Sequence, residues 1–138
     1  MTRISDGDTI TVRQGNDERR IRLCGIDAPE KNQPGGKEAK EFLARIISEG
    51  GDRVGMTFVE QDRYGRWVGE VWSAPETFEE QLLNSVMIGH AWPYTKYWGN
   101  CPNRSALAAS EQSAEQSGRA IWKQPGAIAP WEYRKRNR

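Results

Sequence analysis

Histidine is all but missing from this sequence: His90 stands alone among 138 residues. Mechanisms built on a histidine pair, or on a histidine base beside a histidine metal ligand, are therefore excluded. Hydrolytic chemistry, if present, has to run on carboxylates and guanidiniums. His90 itself, next to the end of a helical pattern, reads as a capping or surface group. Cysteine is nearly as scarce. Cys24 and Cys101 lack the four closely spaced ligands of a structural zinc site. The pair leaves two states open, a disulfide in an oxidising compartment or two free thiols in a reducing one. Long hydrophobic runs are absent. Apolar residues make up 36% of the chain, its mean hydropathy is −0.83, and no stretch approaches the ~18 apolar residues of a membrane-crossing helix. A membrane is not among the expected partners. A strong excess of one charge is also absent, since 20 Lys and Arg stand against 19 Asp and Glu. Proteins that coat nucleic acid without specificity are far more basic, which excludes an architectural role and leaves room for a local basic site.

What is present reads as one domain over residues 1–138, a length at which a modest core is buried. Residues 9–13 alternate, with Ile10 and Val12 on one face, and residues 20–24 return with Ile21 and Leu23 inward, predicting a hairpin. From Gly36 the period changes. Ala39, Phe42, Leu43, Ile46 and Ile47 form the stripe of an amphipathic helix that Gly50-Gly51 ends. Strand pattern resumes at 53–60, with Val54, Met56 and Phe58 on one face, and again at 66–72 after a turn at 62–65. A second helix is expected over 78–88. A third is expected from Asn103 as N-cap to Gln116, packing Leu107, Ala108, Glu111 and Ala114. Core packing is expected of Trp72 and Trp122. From about residue 123 an irregular basic tail is expected, with Arg134, Lys135, Arg136 and Arg138 on a solvated, frayed end. The class is α+β with a small twisted barrel.

Chemistry gathers in three clusters. Asp6-Gly7-Asp8-Thr9 enters a strand. Arg22-Leu23-Cys24-Gly25-Ile26-Asp27-Ala28-Pro29-Glu30 leaves one. Asp62-Arg63-Tyr64-Gly65-Arg66 is a turn entering another. The first is not an EF-hand loop, which needs an acidic or amide residue where Ile10 stands. Asp8 and Asp27 fall at the ends of neighbouring hairpin strands, so both carboxylates meet at one rim, and two carboxylates with a carbonyl suit a hard cation such as calcium. Pro29 fixes the loop beyond Ala28. Glu30 stands within reach of a metal-proximal water, and Arg22 projects opposite Ile21 and Leu23, a fork suited to phosphate oxygens.

These three motifs, in this order and at these spacings, resemble the staphylococcal nuclease family. Further similarity runs through Gly89-His90-Ala91-Trp92, Tyr97, the stretch from Ser110-Glu111 to Trp122, and Pro130-Trp131-Glu132-Tyr133-Arg134, so it covers nearly the whole chain. The resemblance implies a five-stranded OB-like β-barrel with about three α-helices. It implies calcium held by Asp8, Asp27 and the Ala28 carbonyl, Glu30 as general base, and Arg22 and Arg66 as phosphate-binding arginines. Arg63, Tyr64 and Tyr97 match positions that contact the substrate, and Trp92 and Trp98 flank that side. The implied activity is calcium-dependent hydrolysis of single-stranded or frayed DNA and RNA with little sequence preference, leaving 3′-phosphate ends, by a monomer. Family members carry a longer first strand than the five residues before Asp6. The first strand is therefore short or trimmed, and export is the expectation if a leader went with it.

Two rival readings fit the residues less well. Glu38-Ala39-Lys40 has the Glu-x-Lys spacing of another nuclease class, but lies on a helix pattern rather than a strand and reads as a solvated face. A barrel that binds nucleic acid or protein without cutting would have lost one of Asp8, Arg22, Asp27, Glu30 or Arg66, and all five are present.

Overall fold

Alternating hydrophobicity at the start of the chain produces a three-stranded antiparallel meander, β1 (Thr2–Asp6), β2 (Thr9–Gln14) and β3 (Asp17–Leu23). Ile10 and Ile21 are direct cross-strand partners and both are buried. The computed structural model describes residues 2–137, apart from the side chains of Thr2 and Tyr97. After the meander come β4 (Ile26–Asp27), α1 (Gly36–Glu49), β5 (Val54–Gln61), β6 (Trp67–Ser73), β7 (Gln81–Leu82) and α2 (Leu83–Val86). The chain continues through β8 (Trp92–Pro93), a 3₁₀ turn at Thr95–Asn100, α3 (Arg104–Gln116), a second 3₁₀ turn at Ile121–Lys123, and α4 (Pro130–Arg136).

The main sheet runs β1-β2-β3-β6-β5, with β7 added to β6 and only β3–β6 parallel. Its five long strands give the expected α+β, OB-like arrangement. Among the described residues no pairing joins β1 to β5, so the sheet curls without closing. Among the described residues there are four α-helices, two of them short, against the three or so expected. The core lies between the curled sheet and the helices. Ala39, Leu43 and Ile47 of α1 are buried, as are Leu83 in α2, Met87 just after it, and Leu107 in α3. Cys24 and Cys101, 77 residues apart, are joined in a disulfide that ties the end of β3 to the approach to α3. In the chain-entropy model such a link stabilises the fold by roughly 4 kcal/mol.

Several expectations need correction. The helix expected over 78–88 shrinks to α2 (Leu83–Val86), because Gln81 and Leu82 pair instead with β6 and Phe78 is wholly exposed. Phe58 keeps the register of Met56 but is 54% exposed, while Val59, left unpaired where the register slips between Phe58 and Glu60, packs on the core. Ala108 is exposed, and Trp72 is half-buried. Residues 130–136 are helix rather than irregular tail, with Pro130 in the first turn and basic residues in the last. Asn103 does precede α3, but its side chain does not cap the helix. The Glu70 carboxylate takes that place, accepting from the Asn103 N–H and amide at 2.6 Å each.

Beneath the parallel β3–β6 junction sits Asn84, with no exposure. It accepts from the Val71 N–H at 2.9 Å and donates to the carbonyls of Cys24 and Gly69 at 2.9 and 3.1 Å. Asn84→Ala removes all three bonds without admitting water, and a loss of about 2–4 kcal/mol in urea-unfolding stability is the expected outcome.

Candidate active site

The turn between β1 and β2 is shaped by a close approach. A side chain at Gly7 would meet Cβ of Ala39 at 2.7 Å and Cβ of Ala28 at 2.9 Å, so only glycine lets the turn sit against α1. That seating buries the next residue, Asp8, to 5% exposure. Its Oδ2 accepts the Ala28 N–H at 2.7 Å and its Oδ1 the Thr9 hydroxyl at 2.9 Å. Nη1 of Arg22, at the end of β3 and directly opposite Thr9, lies 2.8 Å from Oδ2. The other nitrogen of that guanidinium, Nη2, is 3.6 Å from Oδ1 of Asp27, which is 1% exposed. One arginine thus bridges the two carboxylates. Nη1 makes its ionic contact without hydrogen-bond geometry, so a buried donor is left without an acceptor. Burial opposes the charge on Arg22, but Asp8, Asp27 and Asp6 outweigh it and raise its pKa. Asp6 is pushed up to about 8 by burial and by the neighbouring Asp8. Burial pushes Asp8 up as well, yet Arg22 and its hydrogen bonds prevail and hold it below the ordinary range. Burial raises Asp27 despite its arginines.

The loop beyond Asp27 is clamped at both ends. Glu30 donates its N–H to the Gln33 side chain at 3.0 Å, and Gln33, itself buried, passes its amide to the Ile128 carbonyl at 2.6 Å. At Gly36 a Cβ would fall 1.9 Å from the Glu30 carbonyl oxygen, so the first residue of α1 has to be glycine for the loop to close. The clamp brings α4 over the loop. Arg134 donates to Asp27 Oδ2 at 2.7 Å and to Glu30 Oε1 at 2.6 Å. Its pKa is raised by those bonds against the opposing effect of burial.

A cleft of about 550 Å³ opens beside this cluster, and Arg22, Arg63, Tyr64, Arg66 and Tyr94 line it. Arg66 is aimed by Asp62, whose Oδ2 accepts its Nε at 2.8 Å while Oδ1 accepts the N–H groups of Arg66 and Tyr64 at 3.0 and 2.9 Å. Burial raises the Asp62 carboxyl, but those bonds outweigh it and the pKa falls.

The structure therefore brings Asp8, Arg22, Asp27 and Ala28 into contact, and sets Arg66, Arg63 and Tyr64 around the cleft that Arg22 shares. Glu30 is linked to Asp27 through Arg134. Tyr97 lies on the 3₁₀ turn and its side chain falls outside the described residues. Glu38 and Lys40 lie on α1, as expected of a helix face. Sequence reasoning missed Arg134, Asp62 and Tyr94. The Pro130 start with Glu132 in the first turn would have signalled α4, but nothing local signals what Arg134 touches. Among the described residues no three Asp, Glu, His or Cys side chains converge as a metal cage. Asp8 and Asp27 nonetheless fit a hard cation. They are buried oxygen donors gathered around one positive group, and the Asp8 contact to Ala28 brings that residue's backbone to the same point.

A family model described as staphylococcal nuclease homologue matches residues 20–124. An uncharacterized endonuclease of Escherichia coli O157:H7 is 33% identical over 136 residues, spanning 99% of this chain and 84% of its own. A micrococcal nuclease of Shigella flexneri is 37% identical over 142 residues, 98% of this chain and 79% of its own. A probable staphylococcal-like nuclease of Oryza sativa subsp. japonica is 39% identical over 119 residues, which is 86% of this chain and 33% of that protein.

Two outcomes follow from the ion pairs. Asp62→Ala should cost roughly 1–2 kcal/mol at neutral pH. The folded carboxyl titrates below its ordinary value of 3.8, so its stabilisation is present above that value and is lost as pH falls through the folded pKa. Thermal melts of variant and parent should differ most near neutrality and converge in acid. Arg134→Ala leaves Asp27 with only Arg22, at 3.6 Å. The expected loss in chelator is roughly 1–3 kcal/mol, less than for a fully buried pair because much of Arg134 meets water. Urea unfolding measures it, and Arg134→Lys should recover part.

Proposed function

This chain belongs to the staphylococcal nuclease family, and from that premise we propose that it is a calcium-dependent nuclease. It hydrolyses phosphodiester bonds of DNA and RNA at the cleft between Arg22 and Arg66. The observation that carries the reading is the Arg22 guanidinium. It spans Asp8 and Asp27 on one side and lines the open cleft on the other. A guanidinium held at the rim of a cleft by two carboxylates is suited to meet the oxygens of a phosphate there.

A phosphodiester resists attack because it is already anionic, so the site has to neutralise charge and place a water. Arg22 and Arg66 bind the phosphate and stabilise the charge that builds on its oxygens. A preorganised donor of this kind is worth roughly 2.7–4 kcal/mol in other enzymes. Asp62 fixes the direction of Arg66 before substrate arrives. Glu30 accepts the proton of the attacking water, whose oxygen bonds to phosphorus as the bond to the 5′-oxygen breaks. Arg134 restrains the Glu30 carboxylate and Asp27 together while the cleft is empty. Asp8, Asp27 and the Ala28 carbonyl would hold calcium, which when bound would supply positive charge toward a phosphate oxygen and a water. Tyr64, Arg63 and Tyr97 contact the substrate beyond the scissile phosphate.

No helix is offered to a major groove, and contacts fall on phosphate, which favours tolerance of sequence and of either sugar. Single or frayed strands suit a recessed site. A monomer suffices, because every residue of the scheme comes from one chain. The Cys24–Cys101 disulfide favours an oxidising compartment, as export would provide.

One experiment tests the whole scheme: a labelled single-stranded oligonucleotide incubated with calcium or with chelator, and its products weighed. Cleavage should require calcium and yield 3′-phosphate and 5′-hydroxyl ends. Glu30→Gln should slow turnover by orders of magnitude while binding persists. Full activity in chelator defeats the metal assignment, and 5′-phosphate ends defeat the placement of Glu30, Arg22 and Arg66.

A further inference from the structure

Arg134 reaches the acidic cluster from the last turn of α4 and takes both oxygens of Asp27. Its Nη2 donates to Oδ2 at 2.7 Å and its Nη1 to Oδ1 at 3.3 Å, while Nη1 also donates to Glu30 Oε1 at 2.6 Å. Asp27 is 1% exposed beneath this fork. Asp8 is approached from the other side, by the Ala28 N–H, the Thr9 hydroxyl and Arg22. A divalent cation drawn to Asp8 and Asp27 therefore comes close to two guanidiniums, in a place that water scarcely reaches. Like charges repel strongly there, so one guanidinium has to give way.

Arg22 is the fixed one. It lies in β3, paired with Thr9 on one side and Val68 on the other, and its side chain is 20% exposed. The Arg134 side chain is 42% exposed, and Lys135, Arg136 and Asn137 beside it face water. The anchors of α4 lie at its start. Pro130 is buried, the Trp131 ring meets Tyr94 edge-on at 4.9 Å, and Gln33 binds the Ile128 carbonyl just ahead of the helix. The last turn is exposed and reaches the acidic cluster through Arg134.

We propose that Arg134 is a positioning residue that acts as a built-in counter-cation: it holds Asp27 and Glu30 together, competes with calcium for Asp27, and yields Asp27 as calcium binds. The proposal rests on the calcium reading given above, and adds what sets the affinity and which element moves. Linkage makes the effect reciprocal. The factor by which docked Arg134 weakens calcium binding is the factor by which calcium weakens the docking of the last turn of α4. The sign separates this role from a structural one, because loss of a residue that merely shaped the site would weaken calcium binding, whereas loss of a competitor strengthens it.

Calcium binding is measured by titration calorimetry without nucleic acid, on the parent, Arg134→Ala, Arg134→Lys and Lys135→Ala. The last of these removes one exposed charge from the same turn. Arg134→Ala should bind calcium about tenfold more tightly than the parent, the order expected when charge-assisted hydrogen bonds no longer compete. Arg134→Lys should fall between the two, and Lys135→Ala should change the affinity by less than about twofold, since an exposed charge is screened. In the parent, amide hydrogen exchange over residues 130–136 should quicken when calcium is added to saturation, a measurement that needs no variant to fold. Calcium affinity in Arg134→Ala that is equal to or weaker than the parent's, or matched by Lys135→Ala, overturns the proposal. So does exchange in α4 that calcium leaves unchanged or slows. Absence of calcium binding in the parent and every variant defeats the calcium reading itself, and this proposal with it.

Discussion

The Asp8 carboxylate is the point at which fold and chemistry are the same interaction. It is nearly removed from water, and a carboxylate in that position has to be matched by donors or lose its charge. The donors it finds come from three places: its own strand through Thr9, the loop after β4 through the Ala28 N–H, and the end of β3 through Arg22. Satisfying one buried charge therefore fixes the relative positions of the β1–β2 turn, the end of β3 and the loop after β4. The glycines at 7 and 36 serve this constraint, each by letting backbone approach where a methyl group would collide. Arg22 is bound by the same logic, because its charge is tolerable in the interior only while Asp8 and Asp27 surround it.

Much of this was legible in the sequence, and for definite reasons. The period-two alternation around Ile10 and Ile21 and the helical stripe of Ala39, Leu43 and Ile47 are local patterns that burial enforces directly. The meeting of Asp8, Arg22 and Asp27 follows from hairpin topology, which puts the end of one strand beside the start of the next. Where reading failed, a partner distant in sequence had overridden a local preference. Gln81 and Leu82 carry a helical pattern but pair with β6. Phe58 keeps the alternation of its strand yet stays 54% exposed, and the unpaired residue after it, Val59, packs on the core.

Arg134 is the sharper case. Its helix is written in Pro130 and the charges that follow, yet its contacts are set by Gln33 reaching Ile128 across the fold. No spacing rule connects residue 30 to residue 134. A basic run near the end of a chain is usually solvent-facing, and here two of its neighbours are, while one residue in the turn faces the acidic cluster. Asp62 escaped notice for a different reason. A turn aspartate accepting local N–H groups is commonplace, and only its second oxygen, on the Arg66 guanidinium, distinguishes it.

The separation between Glu30 and Arg134 also has a meaning in time. Their contact spans 104 residues, and a ribosome adding about 5–20 residues per second needs roughly 5–20 seconds to travel that distance. Over that interval the hairpin, α1 and the acidic cluster already exist as nascent chain, while the guanidinium that will join Glu30 to Asp27 has yet to be made. The loop around Glu30 therefore begins life unclamped and acquires its restraint only after nearly all the rest of the domain has emerged.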